Sequence, residues 1–307
     1  MSNRTQSLLI GAAIAALVTL PAFAGDPNWV TGPKNSYDVK SLKVDDVVAI
    51  LKVSVTDKGP ATLQISGLKQ RMGDVKASAK DGVLRIEGHN VDAVWDWSHW
   101  FDFSHFNDYK PGQLIITVTV AKGSRVDVDD IVGNATIGNT EGEMHFSSAG
   151  YTESTIGNVS EAHISMAGSG KITVGNVAGA LKTETAGSGD IKVGDAAKVN
   201  ADIAGSGSIL VGHVNGPLAV DIAGSGDFSA ISVNGPAAAD IAGSGSVTIA
   251  SGEANPLHVD IIGSGNVTFG GVAVDPNISA MGSGSVKIKS FRGKLSNDGM
   301  SNLKIGE

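Results

Sequence analysis

Along the second half of the chain, apolar and polar residues alternate with period two, in short runs cut by glycine. In LAVDIAGSGDFSAISVNGP, Leu218, Val220 and Ile222 share one face, while Ala219 and Asp221 take the other. After the Gly-Ser-Gly triplet the alternation resumes in the pairs Ile209/Val211, Val247/Ile249, Val267/Phe269 and Val286/Ile288. Alternation of this length predicts half-buried strands, and no segment of the repeat places apolar residues at helical spacing. Each unit therefore reads as two short strands joined at a Gly-Ser-Gly corner. A second turn closes it, such as Asn215-Gly216-Pro217 or Asn234-Gly235-Pro236.

The units recur. Ala167-Gly168-Ser169-Gly170 is followed by corners whose first glycine is Gly187, Gly205, Gly224, Gly243, Gly263 and Gly282, at steps of 19, 18, 19, 19, 20 and 19. Fainter copies extend the series: AGYTESTIGNV (149–159) matches AGSGKITVGNV (167–177), and GMSNLKIG (299–306) matches GSGKITVG. At least nine units thus run from residue 149 towards the C-terminus, and a period near 20 is the mark of a solenoid. One unit holds too few apolar side chains to offset the entropy of ordering its own backbone; stacking on its neighbours supplies the rest. The expected fold is all-β: a right-handed parallel β-helix with coils of about 19 residues, rising about 4.8 Å per coil.

The region before the repeat has strand candidates (LKVSV, ATLQI, VLRIE, LIITVTV) without the regular step. Residues 25–130 are read as irregular first coils or a capping sheet, because a solenoid end exposes unpaired edges. Residues 131–307 are read as regular coils sharing one core with it. Residues 1–24 are read as a secretory signal peptide: Arg4, the apolar run LLIGAAIAALVTL, then Ala22-Phe23-Ala24. The expected location is periplasm, cell surface or the extracellular space. No later apolar run is long enough to span a bilayer.

Composition narrows the chemistry. The chain has no cysteine, which removes disulfides, thiolate metal sites and cysteine nucleophiles. Its formal charge of −8 argues against nucleic acid as a partner. Glycine, at 41 of 307 residues, fits a very regular backbone once the repeat is seen.

The GSG-x-[IV]-x-[VI]-G series, preceded by VSVTDKGPATLQISG, AKDGVLRIEG and LIITVTVAKGSRVDVDDIVG, resembles the bacterial family named putative auto-transporter adhesin, head GIN domain, over roughly residues 36–290. The resemblance implies a β-helical fold. It brings no catalytic residues to carry over.

Several residue sets invite chemistry. Gly-Ser-Gly lacks the Lys-Ser/Thr and the following helix of a phosphate loop, and reads as a corner. Ser169, Ser188, Ser206, Ser225, Ser244, Ser264 and Ser283 recur as a hydroxyl ladder. Three residues before successive corners stand Glu184, Asp202, Asp221, Asp240 and Asp260. We read them as an exposed acidic stripe. Calcium is the rival, but it wants six to eight oxygens and one carboxylate per coil supplies few. β-Helices also host polysaccharide-cleaving enzymes, whose sites cluster carboxylates with Arg or Lys along one groove. Here the coils show small residues, one acid stripe and scattered Lys171, Lys182, Lys192 and Lys198.

The other candidate is WDWSHWFDFSHFNDY (95–109), a six-residue phrase said twice in a chain only 5% aromatic. It lies in an insertion spanning residues 90–111. As a strand, Trp95, Trp97, His99, Phe101, Phe103 and His105 share a face, and Trp100 intrudes on the other. Three readings stay open: a hydrophobic cap on the first coils, a platform for a glycan, lipid or protein partner, or a metal site from His99, His105 and an aspartate. The reading for the whole chain is an exported, non-enzymatic structural or adhesive module of the envelope. It is expected to need no cofactor and no metal, with a glycan, an envelope protein or a lipid surface as partner. A carbohydrate-active enzyme or polysaccharide-binding protein is the alternative.

Overall fold

The alternating runs become strands that pair in register with their own copies one coil away, in a computed structural model that describes residues 25–88, 111–299 and 302–306. Leu218–Gly224 is representative. Leu218, Val220 and Ile222 lie beside Val199, Ala201 and Ile203 on one side, and beside Ala237, Ala239 and Ile241 on the other, all parallel. These inward residues are buried, so like stacks on like down a single continuous core. The result is a β-solenoid of about nine turns with coils of about 19 residues.

The corners stack too closely for side chains. Gly224 and Gly243 have φ of +129° and +136°, a region that side-chain-bearing residues avoid. A Cβ on Gly243 would lie 2.2 Å from the carbonyl oxygen of Gly224. Corner is tied to corner by main chain: the Ser225 N–H donates to Gly205 O and the Ser244 N–H to Gly224 O, each at 2.8 Å. The corner serines themselves are exposed, one above another.

Two features correct the two-strand unit expected from sequence. First, a short third side stacks Val177, Ala196, Val214 and Val233 on one another. It carries one inward residue per coil between glycines and polar residues, so no alternation betrays it. Second, the turn expected at Asn234-Gly235-Pro236 is drawn into the 17-residue strand Asp227–Gly243, with a register shift between Gly235 and Ala237. A side-chain ladder secures another bend. Oδ1 of Asn139, Asn158, Asn176 and Asp195 accepts in turn from the main-chain N–H of Asn158, Asn176, Asp195 and His213, at 2.8–3.0 Å.

The N-terminal region is both first coils and cap. Ser41–Asp45 lies in parallel between Val83–Gly88 and Arg125–Ile131, and Ile50–Thr56 between Leu114–Ala121 and Ala135–Ile137. Spatial order therefore departs from chain order: the rung built by Val83–Gly88 and Leu114–Ala121 lies outside the rung that precedes it in sequence. Antiparallel strands finish this end, Ala61–Leu68 against Leu114–Ala121 and Val75–Lys80 against Val83–Gly88. Lys76 and Lys80 on the edge strand are exposed, which discourages further strand addition. Buried Arg71 ties the cap to the coils, pairing with Asp74, donating to Gln113 Oε1 at 3.0 Å and to the Val48 carbonyl at 3.3 Å. No helix among the described residues is long and apolar enough to cross a membrane.

Candidate functional site

The strand that leads into each corner turns alternate residues outward, and in-register stacking converts them into lanes running along the solenoid. Next to the corners lie Ala149, Ala167, Ala186, Ala204, Ala223, Ala242, Ile262 and Met281. Two residues earlier on each strand come Ser165, Glu184, Asp202, Asp221, Asp240, Asp260 and Ser279. The alanine methyls are short and the carboxylates beside them long, so the apolar lane is the floor of a trough of about 570 Å³ walled by the acids. Ile262 and Met281 end the lane with 63% and 74% of their surface exposed, among the most open large apolar residues described.

Charge is unevenly satisfied along the acid lane. Glu184 pairs with Lys182 at 2.5 Å and with His163 at 3.6 Å, and Asp260 with His258 at 3.0 Å. Among the described residues no ion pair reaches Asp202, Asp221 or Asp240. Burial holds all three carboxyls above the ordinary aspartate value, and the charge of the next aspartate down the lane adds to each shift. Glu184 moves the other way, lowered chiefly by its hydrogen bond from Lys182.

These shifts fix a pH dependence. Asp202, Asp221 and Asp240 bind protons more tightly folded than unfolded, so their contribution becomes more favourable as pH falls from neutral towards 3.8. The stabilisation from Glu184 is present above 4.5 and is lost as pH falls through its lowered value. The triple variant D202N/D221N/D240N is therefore expected to be more stable than wild type to urea at pH 7, with the advantage shrinking towards pH 4. A variant less stable than wild type at pH 7 would show that the lane holds the coils together rather than straining them.

Asp240, His258 and Asp260 bring one donor atom each within 4.8 Å of one another. Three donors fall short of a closed tetrahedral site, and this trio is the end of the same acid lane. A second recess, of about 450 Å³, has charged side chains of both signs among its lining residues. There Arg125 reaches Asp127 and Glu143 at 3.1 Å, and His145 reaches Asp129 at 2.9 Å. The rings of His145 and His163 meet edge to face at 4.8 Å.

The acids named from sequence thus stand together in one lane. What sequence reading missed is the apolar lane beside them. Its signal was the residue before each corner glycine, in particular the change from Ala to Ile262 and Met281. The aromatic candidates Trp95, Trp97, His99, Trp100, Phe101, Phe103 and His105 lie outside the described residues, as do residues 1–24. The strands flanking that aromatic window, Val83–Gly88 and Leu114–Ala121, belong to the outermost parallel rung.

Residues 46–232 match the family described as putative auto-transporter adhesin, head GIN domain. No curated protein matches the chain. Among solved structures, one described as a putative adhesin from Parabacteroides distasonis ATCC 8503 is 18% identical, covering 89% of this chain and 98% of that one with a TM-score of 0.43. A putative lipid binding protein from the same strain is also 18% identical, with 88% and 98% covered and a TM-score of 0.43. A putative adhesin from Bacteroides fragilis NCTC 9343 is 17% identical, with 91% and 97% covered and a TM-score of 0.32. With the family match spanning well over half of a chain that carries its Gly-Ser-Gly repeat, the protein belongs to the putative auto-transporter adhesin, head GIN domain family.

Proposed function

We propose that the protein is an exported, non-enzymatic adhesive scaffold of the cell envelope, and that the trough between the acid and alanine lanes is its binding surface. The observation that carries this is the repetition itself: one face offers the same apolar floor and acid wall on coil after coil, and among the described residues no ion pair reaches the middle carboxylates. Repeated equivalent positions suit an extended ligand, because each added contact forms at high effective concentration. Sites that cleave polysaccharides set carboxylates among Arg or Lys along one groove, and the described residues that line the trough include neither. Export is supported by the composition of residues 1–24, and we assign a second contact to the aromatic window, whose indole and phenyl faces suit sugar rings or an apolar boundary.

The test is retention under flow of beads carrying residues 25–307, on surfaces coated with polylysine, a neutral glycan or anionic vesicles. Retention is expected on at least one coating, with the Trp95/Trp97/Trp100→Ala variant weakened on the glycan. No retention on any coating, or fractionation that leaves the chain in the cytoplasm, would overturn the reading.

A further inference from the structure

Resting on the adhesive reading, we infer that the trough is the docking groove for a basic amphipathic α-helix of a protein partner, laid along the solenoid axis with its apolar face on the alanine lane and its cationic flank against Asp202, Asp221 and Asp240. Charge complementarity selects the sign of the occupant. The wall is acidic over consecutive coils, its middle carboxylates have no ion-pair partner among the described residues, and an anionic lipid surface or nucleic acid would meet repulsion there.

Geometry selects its shape. Carboxylates recur about every 4.8 Å along the lane. In a helix, basic residues three or four positions apart recur about every 5.4 Å. In an extended peptide, residues on one side recur about every 6.7 Å and fall out of step within two coils. From Glu184 to Asp260 is four coils, about 19 Å, which a helix covers with about 13 residues at 1.5 Å each. The acid and alanine lanes are two residues apart on the same strands, about 6.7 Å. That is within the diameter of about 10–12 Å over which a helix presents an apolar face and a charged flank side by side. Ile262 and Met281, exposed at the end of the lane, are the residues such an apolar face would cover. Laying an amphipathic helix in an apolar groove is a recurrent mode of peptide recognition.

The probe is a 14-residue Leu/Lys peptide with leucines at helical spacing, labelled for fluorescence anisotropy, alongside a peptide of the same composition with the order scrambled. Both are titrated with residues 25–307. The patterned peptide is expected to bind at least 10-fold more tightly than the scrambled one and to gain helical circular dichroism on binding. D202N/D221N/D240N is expected to weaken it at least 10-fold, and Ile262→Ser with Met281→Ser about 5-fold. All these side chains face outward, and thermal melts of the variants check that each remains folded. Equal binding of the two peptides or unchanged affinity in the triple variant would overturn the inference. Beads that still hold to a glycan while neither peptide binds would leave the adhesive reading standing and remove the helix. Failure on every coating would remove both.

Discussion

Gly243→Ala is expected to cost the protein about 4 kcal/mol or more, while Gly59→Ala costs about 1–3 kcal/mol. Both glycines hold φ values closed to other residues, +136° at Gly243 and +124° at Gly59. The backbone strain of adding a methyl is therefore comparable at the two sites. They differ in what the methyl meets: nothing within 4 Å at Gly59, and the Gly224 carbonyl oxygen at 2.2 Å at Gly243. To make room, the corner must lift from its neighbour, which breaks the Ser244 N–H to Gly224 O bond of 2.8 Å and its backbone register. Urea unfolding of the two variants separates strain from crowding, and equal losses would show that the stacked corners yield freely. Because a solenoid coil contacts chiefly its neighbours, hydrogen exchange should rise in the coils around Gly243 while the N-terminal rungs keep their protection.

The regular coils were legible because two periods coincide in them. Alternation assigned Leu218, Val220 and Ile222 to the inside, and the recurring corner fixed the coil length; the structure buries all three. Neither signal reaches the third side, where Val177, Ala196, Val214 and Val233 each stand alone in their coil. The order of the first rungs was hidden for a different reason. Ser41–Asp45 has partners both far ahead and nearer along the chain, Arg125–Ile131 and Val83–Gly88, and strand alternation names a face but not a partner. The candidate site divides the same way. Carboxylates are informative wherever they stand, so Asp202, Asp221 and Asp240 could be placed outward at once. Alanine is not: Ala239 is buried in the core while Ala223 and Ala242 lie exposed on the trough floor. Only pairing across coils shows which alanines form a surface, and the exposed Ile262 and Met281 in their lane give that surface its apolar character.

Phe228→Ala is expected to cost about 3–5 kcal/mol, the usual range for emptying a phenylalanine site in a core. Phe228 is fully buried and stacks between Ile209 and Val247, in a column otherwise aliphatic on both sides. Its coil is short of volume elsewhere: Ala230, Ala237 and Ala239 also point inward, where the coil before it has Val211, Leu218 and Val220. The phenyl ring therefore fills space that its coil-mates leave open. Shape compensation of this kind has a measurable signature. Ala230→Ile alone should destabilise by about 1–3 kcal/mol through overpacking, yet in the Phe228→Ala background it should recover part of the loss, since Ala230 stacks between Val211 and Ile249 and a branched side chain suits that column. A double-mutant cycle by urea unfolding reads the coupling. If the two changes add to within about 0.5 kcal/mol, the two positions do not share the same space and the coil's small residues are filled from another wall.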